Sequence, residues 1–269
     1  MDKNIGQPKP GTPLVSVLLP VLNGADSVRA AVRSVLTQDC GDLELIVIDD
    51  GSTDRTAAIV SELARTDRRM VLLRNESNLG IQKSLNRGLA RACGKYVARL
   101  DVDDVWIGED KLGRQVEFLE GNLEHVLVGT AALFVGGRQG REYPVTMPQA
   151  DAAIRRRLLG KNCFLHGSIL ARREAIGKVG GYDESPECRH VEDYDLWLRL
   201  GRVGKVANLG FVGLRYALSP TGLSAKNLQE QCRKHLYLTR KYRTDYPGYF
   251  RAMVRNRLRL ISAPFRCRW

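Results

Sequence analysis

The sequence predicts an α/β protein with a mostly parallel central sheet flanked by helices. Three observations predict it. From Leu14 to Asp104, apolar runs of strand length alternate with segments whose apolar residues recur at helical spacing. The links between them are short, as strand–helix–strand crossovers require. The strands end in polar or acidic clusters, on the side where such sheets bind ligands.

Each element has its own signal. Leu14–Leu19, apolar but for Ser16, reads as a strand buried on both faces, and Pro20 ends it. Asp26 or Ser27 offers a cap for a helix to about Gln38. Leu43–Ile48 is a second strand, followed by Asp49-Asp50-Gly51-Ser52, and Thr53 or Asp54 caps a helix to about Arg65. Met70–Leu73 is a short third strand. Ile81, Leu85, Leu89 and Ala92 place a helix between Asn78 and Cys93, and Gly94 ends it. Tyr96–Leu100 is a fourth strand running into Asp101-Val102-Asp103-Asp104. The second half is less regular. Lys111–Glu120 reads as a helix, Val126–Val135 as one or two strands broken by Gly129, and Ala150–Leu159 as a basic helix. Gly167–Leu170 reads as a strand, Gly180-Gly181 as a turn and Asp193–Leu200 as a helix.

Composition sets the class. The 269 residues are 43% hydrophobic and 27% charged, which suits a soluble globule with one large domain. No run approaches 18 apolar residues, so no transmembrane helix is expected. Met1 to Pro13 lacks the pattern of a secretory signal, and the six cysteines form no Cys-x-x-Cys or zinc spacing. Reduced thiols in a cytoplasmic protein, peripheral on the membrane at most, are therefore expected. The net charge is +12, and twelve Lys/Arg against two acids place +10 of it in the last 44 residues. The expected organisation is a lead-in at 1–12, a domain at 13–225 (halves 13–104 and 105–225) and a basic helical tail at 226–269. In the tail, Cys232, Leu236 and Leu238 mix with basic residues in a first helix. From Tyr249 to Trp269, Phe250, Met253, Val254, Leu258, Leu260, Ile261 and Phe265 interleave with six arginines. That mixture suits an anionic membrane surface; the other readings are a helix docked on the body or a disordered end. An acidic cleft argues against nucleic acid as a partner.

Four clusters are candidates for chemistry. Asp101 and Asp103 at a strand end offer oxygen ligands for Mg²⁺ or Mn²⁺; alternatively the loop is only acidic, with an Asp capping the next helix. Asp49 and Asp50 precede Gly51, where backbone can approach a ligand, so a carboxylate there can accept a base N–H; the same stretch also serves as a helix cap. Glu192 and Asp193 begin a helix, where the dipole favours acids and where a carboxylate can act as general base. His166 is either a lining of an acceptor site or structural, and His190 is open in the same way. The sequence has no Gly-x-Ser-x-Gly, His-Glu-x-x-His, Walker lysine loop or Gly-x-Gly-x-x-Gly.

The order of these pieces is more specific than any one. Val15-Ser16-Val17-Leu18-Leu19-Pro20-Val21-Leu22-Asn23-Gly24 is followed by the run Glu44 to Asp54, by Asn78-Leu79-Gly80 and by Ala98-Arg99-Leu100-Asp101-Val102-Asp103-Asp104. Gly180-Gly181-Tyr182-Asp183 and the run Glu192 to Arg199 come later. Over roughly residues 13–225 this resembles family 2 of the inverting glycosyltransferases, the GT-A (nucleotide-diphospho-sugar transferase) class. The resemblance implies that Asp50, backed by Asp49, reads the base of a nucleotide-sugar above a floor made by Pro20 and Asn23. It implies that Asp101 lies near ribose and metal, that Asp103 binds the Mn²⁺ or Mg²⁺ and that Asp193, paired with Glu192, is the catalytic base. Two departures stand out: Leu22 occupies a position where the family often has Tyr, and the stretch Leu214 to Ser219 lacks the family's late His.

The reaction so implied is an inverting transfer from a nucleotide-sugar, a UDP-sugar favoured, to a saccharide or lipid-linked acceptor in polysaccharide or glycolipid assembly. Two other readings are a nucleotidyltransferase and an inactive nucleotide-sugar-binding module. The first normally carries a basic, Gly-rich loop after the first strand, and residues 20–25 have none.

Overall fold

The computed structural model describes residues 12–136, 140–218 and 227–266. Strands β1 (Val15–Val21), β2 (Leu43–Asp49), β3 (Met70–Arg74) and β4 (Tyr96–Arg99) run parallel. Helices α1 (Val28–Leu36), α2 (Thr56–Thr66) and α3 (Ile81–Arg91) connect them. The spatial order is β3-β2-β1-β4, so the chain reverses direction across the sheet between β1 and β4. A reversal of this kind opens a crevice beyond the strands' carboxyl ends. Side chains alternate as a pleat requires. Val15, Val17, Leu19 and Val21 pack with α1 and α2 on one face, while Leu18, Ile46 and Ile48 pack with α3 on the other.

The two polar interruptions in the first strands explain each other. Ser16 lies opposite Glu44 in register and donates to its Oε1 at 2.6 Å. The Cys93 N–H donates to Glu44 and the Gly94 N–H to Ser16 Oγ, at 2.7 and 2.8 Å. These bonds offset the cost of burying polar groups and fix where β4 begins.

The parallel arrangement belongs to the first half. After β5 (Val105–Trp106) and α4 (Lys111–Gly121) come β6 (His125–Gly136), β7 (Arg141–Val145), α5 (Asp151–Leu158) and β8 (Leu170–Arg172). Then follow α6 (Arg173–Lys178), α7 (Glu192–Val203) and β9 (Lys205–Leu218). β8 is antiparallel to both β4 and β6, β9 is parallel to β6, and β5 and β7 pair antiparallel with β9 and β6. Gly129 does not break its strand. The register slips two residues later, around Ala131, and Gly129 instead makes room for the Asn208 side chain. The expected strand at Gly167–Leu170 is a 3₁₀ turn (His166–Ser168) leading into β8.

Two helices follow, α8 (Leu228–Lys241) and α9 (Tyr249–Arg266). They pack on the α3 and α7 face. Leu238, Tyr242, Tyr246 and Ala252 share one core with Leu158, Leu159, Tyr194 and Leu198. The Tyr246 hydroxyl donates to the Leu198 carbonyl at 2.7 Å and Thr239 Oγ1 to the Leu159 carbonyl at 3.1 Å. Cys40, Cys93, Cys163 and Cys188 are free thiols. Most of the expected lead-in, Ser219, Cys267 and Trp269 lie outside the described residues.

Candidate active site

The loops after β1 and β2 interlock. Pro20 is buried in β1 opposite Ile48. Asn23 takes the left-handed conformation (φ 52°), which Asn tolerates better than most residues. Its Oδ1 accepts the Thr53 N–H and its own N–H donates to Ser52 Oγ, both at 2.9 Å. Asp49 is fully buried, and its Oδ1 accepts the Ser52 N–H at 2.9 Å. Asp50 accepts three N–H groups: Asn75 Nδ2 at 2.7 Å, Leu79 at 2.8 Å and Gly80 at 3.0 Å. It therefore ties the end of β2 to the Asn78-Leu79-Gly80 turn that starts α3. Gly51 sits between them with φ +79°, and a Cβ there would lie 2.6 Å from the Ser77 carbonyl carbon, so only glycine fits. At the start of α2 the cap position is Arg55, with no side-chain cap bond, rather than Thr53 or Asp54; Asp54, one residue before it, accepts the Thr56 N–H at 2.9 Å.

After β4 the three acids differ in environment. Arg99, the last residue of the strand, is almost fully buried and donates two hydrogen bonds to Asp101, at 2.6 and 2.5 Å. Burial alone would disfavour its charge, but Asp101 more than offsets this and holds the guanidinium charged. Asp103 is exposed and makes no ion pair among the described residues. Desolvation and the Asp101 charge push its carboxyl above the usual range. Asp104 is buried, with Oδ1 accepting the Ala217 N–H at 2.8 Å and Oδ2 left without a hydrogen bond. Burial and Asp101 push it up to about 8.

The first turn of α7 brings Glu192 and Asp193 to the same place. Asp193 accepts Asn162 Nδ2 on Oδ2 at 2.8 Å and the Tyr194 N–H on Oδ1 at 2.7 Å. Burial raises its carboxyl, and those two bonds pull it partly back. Glu192 Oε2 is buried with no hydrogen bond, and burial plus the Asp193 charge push it up to about 7. A helix N-terminus favours an acid by only about 0.3–1 kcal/mol, whereas one pKa unit is about 1.4 kcal/mol. Desolvation and repulsion therefore outweigh the dipole here. Arg99 and Asp101 both act on Glu192 and Asp193. The Tyr216 hydroxyl, raised chiefly by burial, also feels Asp101, Asp104, Asp103 and Asp193. The acids that follow β4 and those that open α7 thus converge around Arg99 and around Tyr216 from the end of β9. Asp49 and Asp50 stand on the same carboxyl edge, two strands along, roughly 10 Å in strand spacing.

His166 Nε2 lies 2.8 Å from the Tyr182 hydroxyl, and its ring meets Trp197 edge-on at 5.4 Å. Burial and Arg99 keep it well below its usual pKa, so it is neutral. His190 faces Glu230 and Lys234 of α8 rather than the acids. Arg99, Asn162, Tyr182 and Tyr216 were not among the expected site residues. Arg99 left a trace, a charge inside the otherwise apolar stretch Tyr96–Leu100 read as a strand. Asn162 left none.

A divalent ion fits this donor set. Asp103 offers carboxylate oxygens with no ion pair among the described residues, its carboxyl raised by burial and Asp101 and opposed by Arg99, whereas Asp101 would have to share an ion with the Arg99 guanidinium that holds both its oxygens. A second group, Asp183, Cys188 and Asp195, also brings three potential ligand atoms within 4.8 Å of one another. It already holds a cation. Lys241 Nζ lies 3.3 and 3.1 Å from the two carboxylates, and Arg199 Nε lies 2.6 Å from Asp195. Burial and Asp195 push the Cys188 thiol up to about 12, so it stays protonated. That group is an ion network fastening α8 to α7.

Residues 16–180 match Glycosyl transferase family 2. Over 196 residues the chain is 34% identical to the putative glycosyltransferase EpsE of Bacillus subtilis (strain 168), covering 71% of this chain and 68% of that protein. Over 220 residues it is 30% identical to the UDP-Glc:alpha-D-GlcNAc-diphosphoundecaprenol beta-1,3-glucosyltransferase WfgD of Escherichia coli, covering 81% of this chain and 82% of that protein. The mannosyltransferase PcManGT from Pyrobaculum calidifontis, in complex with GDP-Man and Mn²⁺, shares the fold with a TM-score of 0.70 at 20% identity, covering 94% of this chain and 73% of that one. With its motifs in order, its sheet reversing between β1 and β4 and most of its length matched, the chain belongs to glycosyl transferase family 2 and has the GT-A fold.

Proposed function

We propose that this glycosyltransferase is inverting and metal-dependent, moving a sugar from a nucleotide-sugar to an acceptor hydroxyl. The observation that carries the reading is Asp193, held by Asn162 and facing the acids of the β4 loop across Arg99. The donor's base lies beside Asp50, which Asp49 backs, over Pro20 and Asn23, and its diphosphate lies at Asp101 and Asp103. A divalent ion bound there would neutralise charge on the leaving diphosphate. Asp193 takes the proton of the acceptor hydroxyl as that oxygen bonds to the anomeric carbon. The bond from that carbon to the diphosphate oxygen breaks on the opposite face, so one displacement inverts the configuration. Glu192 sits beside Asp193 and shares its negative field, and neutral His166 and Tyr182 wall the acceptor end without competing for the proton.

A UDP-sugar is the favoured donor and a saccharide or lipid-linked saccharide the favoured acceptor. The name of WfgD, with UDP-Glc and a diphosphoundecaprenol acceptor, supports both. The setting is polysaccharide or glycolipid assembly. The test is release of nucleoside diphosphate across UDP-, GDP- and dTDP-sugars, with Mn²⁺, Mg²⁺ and chelator arms. Turnover with UDP-sugars that chelator abolishes is the expected result. Chelator-resistant turnover would remove the metal from the reading, and no turnover with any donor would remove the reaction.

A further inference from the structure

Helix α9 has two unlike faces. On one, Ala252, Met253, Asn256 and Ala263 are buried; Asn256 donates to Thr239 Oγ1 of α8, and Ala252 lies against Gly160. On the other, Phe250, Val254, Leu258 and Ile261 are 83, 58, 61 and 66% exposed. Their spacing of four, four and three residues makes one apolar stripe along the helix. Arg251, Arg255, Arg259 and Lys161 border it. From Tyr249 to Arg266 there is no acid, and the four arginines from 251 to 259 make no ion pair among the described residues.

A stripe of large apolar side chains bordered by uncompensated arginines asks two things of a partner. It must offer apolar depth and, at its rim, negative charge. An anionic bilayer offers both within one plane, whereas a nucleic acid offers only the charge. Among the described residues no helix is long and apolar enough to cross a membrane, so this helix would lie on the surface. We propose that α9 rests on an anionic phospholipid bilayer, with Phe250, Val254, Leu258 and Ile261 in the boundary between headgroups and acyl chains and the arginines on the lipid phosphates.

The position of the surface has a consequence that rests on the function proposed above. Lys161 sits on the rim of the stripe, and the next residue, Asn162, holds Asp193. The bilayer would then lie at the end of the site where the acceptor enters, as a lipid-linked acceptor requires.

Co-sedimentation of the full chain with phosphatidylcholine vesicles, with and without phosphatidylglycerol, tests the surface with no sugar donor present. Binding should need the anionic lipid and weaken with salt. Arg251→Glu with Arg255→Glu should lower the partition coefficient by on the order of 25-fold or more, about fivefold per basic residue removed. Leu258→Glu with Ile261→Glu, at exposed positions, should abolish binding. Thermal melting and UDP titration with Mn²⁺ should match the parent for all these variants, which separates a failed surface from a failed donor site. Three outcomes would overturn the proposal: equal binding to neutral vesicles, stripe variants that sediment like the parent, or a dimer in light scattering that the stripe variants convert to monomer.

Discussion

Asp193 draws its character from two opposed effects. Burial favours its neutral form, while the Asn162 amide and the Tyr194 N–H favour the ionised form that a base needs. Asp193→Asn should cut kcat by roughly 10²–10⁴-fold and leave UDP affinity nearly unchanged, read by turnover and by titration calorimetry. Near wild-type turnover would exclude it as the base. Asn162 is a positioning residue, and its effect has a sign. Its hydrogen bond lowers the Asp193 pKa, so Asn162→Ala should raise it and move the acid limb of the kcat/KM profile to higher pH, with kcat at neutral pH falling about tenfold. A pH profile that Asn162→Ala leaves unmoved would reduce Asn162 to packing.

At the level of elements, the turn of Gly180 and Gly181 shows how the halves are joined. Asn86 of α3 accepts the Tyr182 N–H and donates to its carbonyl, both at 2.8 Å. Gly181 has φ +73°, and a Cβ there would stand 2.8 Å from Asn86 Oδ1. The turn therefore needs glycine and hands Tyr182 to His166. Helix α8 contributes differently. Its His235 stacks on Tyr194 of α7 at 4.6 Å, and burial lowers its pKa to about 3. In the unfolded chain it titrates near ~6.5. Below that pH the unfolded state binds a proton that the folded state refuses, so this contribution is intact above ~6.5 and erodes as pH falls toward 3. Urea midpoints measured from pH 7 to 4 should therefore fall less steeply for His235→Leu than for the parent. Parallel curves would show that acid loss comes from elsewhere.

For the whole molecule, the last two helices belong to the core. Leu238, Tyr242, Tyr246, Ala252 and Met253 are buried, and the larger of them contribute roughly 1.5–3 kcal/mol each. Together these approach the ~5–15 kcal/mol net stability of a domain. A chain ending at residue 225 should therefore fail to fold, seen as loss of a cooperative melt. A truncated form that melts cooperatively and binds UDP would show that 13–225 stands alone. The basic, aromatic-rich composition had pointed to the tail's outer face; its inner face carries no such compositional mark, because a small buried surface on a charged helix looks the same as a solvated one.

Sequence by itself determined the parallel half, its helices and the acidic clusters at the strand ends, because hydrophobic period and turn chemistry are local properties of the chain. It also placed Asp101, Asp103 and Asp193 as the residues to examine. Only the tertiary structure decided which acid meets which partner. Arg99 closes on Asp101, leaving Asp103 without an ion pair among the described residues, and Asp104 reaches Ala217 across 113 residues. Asn162 reaches Asp193 across 31. The short strands β5 and β7 were likewise hidden, since β5 has two residues and β7 is exposed for most of its length. Their pairing comes from neighbours in space, and the local pattern of a chain does not encode a partner that only folding brings near.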